Sequence, residues 1–238
     1  MLLWHRKVVL GRVRIEGVDI EANVREVQRR IARACERSHR SPGEITLVVV
    51  TKEVGISAIR AAFDCGLRDF GENRVQEAED KIGQLSDLKP DVTWHMVGHL
   101  QSNKAKTAVE LFDVIHSVDS VRLAEILSRR AEKTLPVLLQ ANVSGEATKS
   151  GFAVNEIAVV VEEIRQLPNL RLVGLMTIAP LAAETEEVRP VFRKLRELRD
   201  SLRLEHLSMG MTDDFEVAIE EGATMLRIGR AIFGDRRQ

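Results

Sequence analysis

The chain has 238 residues, 35 Lys+Arg against 36 Asp+Glu, a net charge of -1 and 44% hydrophobic residues. That length suits one α/β domain with a sizeable core, and the balanced charge provides no global field to draw nucleic acid or an anionic membrane. No apolar run reaches the length of a membrane span, and two cysteines in helical patterns, Cys35 and Cys65, make no disulfide framework, so a cytoplasmic protein is expected.

Residues 1–18 are interrupted by Arg6, Lys7, Arg12 and Arg14, lack the apolar centre of a signal peptide, and read as a flexible extension. A helix is expected over Asp19–Ser38, with Val24, Val27, Ile31 and Ala34 on one face. Then two textures alternate. Strands are expected at Ile45–Thr51, Asp69–Gly71, Thr93–Val97, Val114–Ser117, Val137–Val143, Leu172–Met176, His206–Ser208 and Thr224–Ile228. Helices are expected between them at Ile56–Cys65, Arg74–Gln84, Ser102–Leu111, Ser120–Glu132, Asn155–Gln166, Glu186–Arg203 and Asp213–Glu221. Such alternation implies parallel strands with right-handed crossovers, and eight strands in this length point to a closed (β/α)8 TIM-type barrel with an extra N-terminal helix. A single domain over 19–238 follows, since Leu88–Asp91 and Leu167–Asn169 read as turns and not as linkers.

Lys52 ends the most apolar strand, Ile45–Thr51, at a strand-to-helix junction, where ligand sites of parallel α/β folds collect. A lysine desolvated there has a lowered pKa and becomes a nucleophile toward carbonyls. Near the C-terminus, Arg227-Ile228-Gly229-Arg230 follows a strand, and Gly229 permits close backbone approach to an anion. The preceding turn, Ser208-Met209-Gly210-Met211-Thr212, offers a second set of amides, with Thr212 as the expected cap of the next helix. Gly71-Glu72-Asn73-Arg74 reads as a helix start capped by Asn73. His95 and His99 are four apart, but Gly98 breaks helical continuity between them. A strand end whose His and Gln are hydrogen-bonded near the barrel mouth is therefore expected instead of a metal site.

Three segments carry a family likeness: Asp69-Phe70-Gly71-Glu72-Asn73-Arg74-Val75-Gln76-Glu77, Trp94 to Lys104, and Leu207-Ser208-Met209-Gly210-Met211-Thr212-Asp213-Asp214-Phe215. With Arg227-Ile228-Gly229 and Ile232-Phe233-Gly234, they closely resemble the YggS/PROSC family of pyridoxal-phosphate homeostasis proteins, related to the N-terminal barrel of alanine racemase. The resemblance runs from about residue 20 to 235. It implies that Lys52 forms a Schiff base with pyridoxal 5′-phosphate. It also implies that Ser208, Gly229 and the backbone at Arg230 hold the phosphate, that Arg227 approaches the pyridine nitrogen, and that Asn73, His95 and Met176 line the pocket. This chain departs from the family in carrying Arg230 where a Thr or Ser is common, and Glu53-Val54-Gly55 where a proline often follows the lysine.

The resemblance further implies a monomeric carrier in vitamin B6 homeostasis that buffers the cofactor or delivers it to apo-forms of PLP enzymes. Racemases of this fold pair their lysine with a tyrosine and draw on a C-terminal β-domain; these 238 residues contain no tyrosine, and such a domain is not expected here. An arginine at the ring nitrogen also weakens the electron sink. Two alternatives stay open: a weak racemase-like PLP enzyme, and a cofactor-free aldolase-type barrel in which Lys52 attacks the substrate.

Overall fold

The structure, a computed structural model, describes residues 14–15, 17–146, 150–180 and 184–234. Most of the expected 1–18 extension lies outside the described residues. Within it, Arg14–Ile15 pairs antiparallel with Val18–Asp19. Helix α1 (Ile20–Arg37) then begins, its Asp19 cap accepting from the Ala22 amide at 3.0 Å.

Among the described residues, eight parallel strands close a barrel in chain order: β1 (Thr46–Val50), β2 (Asp69–Glu72), β3 (Thr93–Met96), β4 (Val114–Val118), β5 (Leu135–Asn142), β6 (Leu170–Met176), β7 (His206–Ser208) and β8 (Met225–Ile228). β8 returns to β1, with Met225 opposite Thr46 and Arg227 opposite Val48. The outer ring comprises α2 (Ile56–Asp64), α3 (Val75–Gln84), α4 (Ala105–Leu111), α5 (Val121–Arg130), α6 (Ile157–Arg165), α7 (Arg189–Ser201) and α8 (Phe215–Glu220), with the single turn α9 (Arg230–Phe233). Every expected strand and helix is present, including the two shortest strands.

Strand alternation divides the core in two. Phe70, Trp94, Ile115, Leu226 and Ile228 point outward into the main apolar layer beneath the helices. Leu138, Val173, Met176 and Met225 form a separate small cluster inside the barrel. The rest of that interior is unusually polar: His95, His116, Ser208 and Arg227 are all buried there.

Some local expectations require correction. Arg74, not Asn73, precedes the first turn of α3, and no side chain caps it. Asp214, not Thr212, stands at the N-cap of α8; its carboxylate accepts from the Met211 amide at 2.6 Å, while Thr212 Oγ accepts from the Ala231 amide at 3.4 Å. The carboxylate is the stronger acceptor for the loop amide, and the hydroxyl is left to join two loops at the barrel mouth. Glu186 and Glu187, expected in the helix, lie in a 3-10 turn ahead of α7, and Arg189, Arg193 and Arg196 gather on Glu221.

Candidate functional site

Lys52 sits in a turn at the C-terminal end of β1, closed by the Val54 amide donating to Thr51 O at 3.0 Å. Glu53 takes a φ of 62°, a left-handed conformation uncommon for a residue with a side chain. The turn is fastened from below. The Lys81 ammonium of α3 donates to Thr51 O at 2.5 Å, to Glu72 Oε1 at 2.9 Å and to Glu77 Oε1 at 2.6 Å. Glu77 in turn accepts from the Glu53 amide at 2.5 Å. Thr51 Oγ adds a 2.6 Å bond to Glu72, whose carboxyl is raised from its ordinary value by burial, against the lowering effect of Lys81 and Thr51. Lys52 is thus presented by a backbone clamped at both ends.

Above the turn opens a cleft of about 980 Å³, lined among others by Lys52, Asn73, Thr212, Arg227, Gly229 and Arg230. A smaller annex of about 290 Å³ shares Asn73 with it and runs past His99 and Gln140. Gly229 shapes the wall: a Cβ built there would stand 2.9 Å from Val50 O, so only glycine lets β8 and its loop approach β1 this closely. The next turn is anchored to α1 by Asn23, whose amide donates to Ile232 O at 2.9 Å.

Arg227 is the buried cation of the cleft. Its Nη1 donates to Ser208 Oγ at 2.7 Å and its Nη2 to Thr177 O at 2.8 Å. Burial lowers its pKa to about 10, partly opposed by Asp214, so it stays charged at neutral pH. Ser208 Oγ also meets His116 Nδ1 at 2.8 Å; His116 Nε2 meets His95 Nδ1 at 2.9 Å; His95 Nε2 meets Asp69 Oδ1 at 3.0 Å. Burial above all, with the Arg227 guanidinium close by, holds the His116 pKa well below its ordinary value.

Of the residues singled out in the sequence, Lys52, Asn73, Arg227, Gly229 and Arg230 share the cleft wall. Ser208, His95 and Met176 lie in the barrel interior, with Ser208 Oγ turned to Arg227 and His116. His99 is apart from His95 and pairs with Asp119 at 3.0 Å. The sequence reading passed over His116 and Lys81. A histidine inside the strand run Val114–Ser117 was a legible sign of a polar interior. Lys81 had no such sign, because its partners come from three separate segments.

Residues 19–237 match the family described as alanine racemase, N-terminal domain. The chain belongs to this family. Among family relatives, it is 46% identical over 220 residues to the pyridoxal phosphate homeostasis protein of Aquifex aeolicus, spanning 89% of this chain and 96% of the relative. The corresponding Escherichia coli protein is 43% identical, spanning 92% and 97%. PipY of Synechococcus elongatus, solved with PLP bound, is 40% identical with a TM-score of 0.78, covering 90% of this chain and all of that one. Alanine racemase of Corynebacterium glutamicum, at 18% identity and a TM-score of 0.63, shares the fold; 92% of this chain matches 61% of that one.

Proposed function

We propose that this chain binds pyridoxal 5′-phosphate as a Schiff base on Lys52 and holds it in the cytoplasm, as a monomer, for buffering or delivery to apo-forms of PLP enzymes. The observation that carries the reading is one cleft wall that brings together a primary amine, a buried cation and a glycine-shaped anion cradle at Lys52, Arg227 and Gly229. Pyridoxal phosphate supplies an aldehyde that condenses reversibly with a primary amine. In this reading the clamped turn aims Lys52 at that aldehyde, and Arg227 faces the ring nitrogen. The loop from Gly229 to Ala231, with Arg230, holds the phosphate, and Asn73 flanks the ring. Ser208, His95 and Met176 serve from behind, as the floor on which Arg227 rests. The relatives named for pyridoxal phosphate homeostasis, and PipY with its bound PLP, support the same cofactor.

Holding, and not turnover, is the proposed role. The 238 residues contain no tyrosine to act as a second base opposite the lysine. A cation facing the pyridine nitrogen disfavours ring protonation, and so weakens carbanion stabilisation.

Borohydride reduction of the loaded protein followed by peptide mass analysis is expected to place a pyridoxyl group on Lys52. Labelling confined to other lysines would sink the assignment, and no visible absorbance on adding the cofactor would favour the aldolase-type alternative. With L-alanine in deuterated water only slow exchange at Cα is expected. Turnover near ~10 per second, an ordinary enzyme rate, would overturn the carrier reading.

A further inference from the structure

Five side chains from five strands join across the barrel interior: Asp69 of β2, His95 of β3, His116 of β4, Ser208 of β7 and Arg227 of β8. Donor counting assigns this chain a direction. Arginine only donates, so Ser208 Oγ accepts from Arg227, and its one hydrogen is left for His116 Nδ1. A neutral His116 then carries its proton on Nε2 and donates to His95 Nδ1. His95 carries its own proton on Nε2 and donates to Asp69, whose carboxylate only accepts. All the bonds point from the cation in the cleft to the anion at the start of β2. In this arrangement the Ser208 hydroxyl and all four imidazole nitrogens have a partner, and Arg227 Nη2 takes Thr177 O. The opposite sense would put the His116 proton on Nδ1 and leave the Ser208 hydrogen without an acceptor, since among the described residues Ser208 Oγ touches only His116 and Arg227.

We propose that Ser208, His116, His95 and Asp69 are positioning residues for Arg227, holding its guanidinium in one orientation and ending the chain on a carboxylate that complements its charge. The proposal rests on the reading of Arg227 as the group facing the cofactor's ring nitrogen. It assigns Ser208 to the ring side of the cofactor and not to the phosphate. The cofactor then meets a fixed cation, where a freely swinging arginine would let the ring nitrogen take up a proton.

Two measurements test it. In the cofactor-free protein, proton–nitrogen spectra of the imidazoles are expected to show both His95 and His116 protonated on Nε2. A proton on His116 Nδ1 would overturn the proposal whatever the cofactor does. In the loaded protein, nitrogen-15 in the cofactor ring is expected to resonate as unprotonated. It should shift toward the protonated value in Ser208→Ala and in Asp69→Asn, while the preference for pyridoxal phosphate over pyridoxal stays unchanged. A reduced preference in Ser208→Ala would place the hydroxyl on the phosphate and refute the assignment. Should Ser208→Ala fail to fold, Asp69→Asn at a partly exposed position carries the test, and an unmoved ring resonance there counts against the proposal. An unmoved resonance in Arg227→Lys would bring down the reading of Arg227, and the positioning role with it, while the tautomer result would still stand.

Discussion

Arg230 reaches from the start of α9 to Asp213 in the loop before α8, with Nη2 2.6 Å from Oδ1, so the cation at the cleft lip already holds an anion. Both partners are well exposed, at 53% and 77%. Exposed pairs of this kind contribute about 0–1 kcal/mol and are weakened by salt.

An incoming phosphate therefore competes with Asp213 for Arg230. Asp213→Asn is expected to tighten binding of pyridoxal phosphate while leaving that of pyridoxal unchanged, and the gain should fade as salt is raised. Titration of the visible absorbance at two ionic strengths measures both effects. Tighter binding of pyridoxal as well would refute competition at the phosphate.

Gly229 should matter more than its charged neighbour. A methyl group at 229 meets a backbone carbonyl, Val50 O, which cannot turn aside as a side chain can. Gly229→Ala is expected to weaken binding on the order of tenfold or more, about 1.4 kcal/mol or above, against a smaller loss for Arg230→Ala. Equal losses would show that charge, and not backbone approach, governs the cradle.

Lys81 is the third target. Its ammonium serves Thr51, Glu72 and Glu77 together, and Glu72 is fully buried with Oε2 unpartnered among the described residues. Removing one side of a buried ion pair costs about 3–5 kcal/mol, because the other charge is stranded. Lys81→Met is expected to lower the urea midpoint by a corresponding amount, and Glu72→Gln in the same chain should recover much of it. No recovery in the double variant would mean that packing, not the stranded carboxylate, sets the cost.

Acid stability has a local source at the end of α8. Glu220 meets Arg37 and Arg189, and Glu221 meets Arg189, Arg193 and Arg196. Burial pushes both carboxyls up, but the arginine hydrogen bonds outweigh it, so both titrate below the ordinary value of 4.5. A carboxyl depressed by folding contributes stability that is present above its unfolded value and lost as pH falls through its folded one. Melting temperature is expected to decline below about pH 4.5, and Glu221→Gln should lower the neutral plateau while flattening that acid limb. An acid limb unchanged in the variant would assign acid unfolding to other carboxylates.

The strands were legible because their cores are β-branched, as in Thr46–Val50, or because a short polar run such as His206–Ser208 fell where the alternation demanded one. The cleft wall was legible too, since Lys52 and Gly229 follow strands directly. Depth was not. Alternation tells whether Ser208 points inward, but not whether it stops at the mouth or lies against Arg227, because that depends on strand stagger around the closed barrel. The caps at Asn73 and Thr212 were misread for a related reason. Neither α3 nor α8 has a side-chain cap, and at α8 the Asp214 carboxylate is taken by the Met211 amide, a contact evident only once the loop is folded.

Pairing of β8 with β1 has a consequence for assembly. The wall that carries Lys52 is completed by Gly229 and Arg227, more than 170 residues further along the chain, and neither the cradle nor the interior chain exists until β8 docks. Chains truncated before Met225 are therefore expected to expose the reactive lysine without retaining the cofactor, so loading waits on the docking of β8.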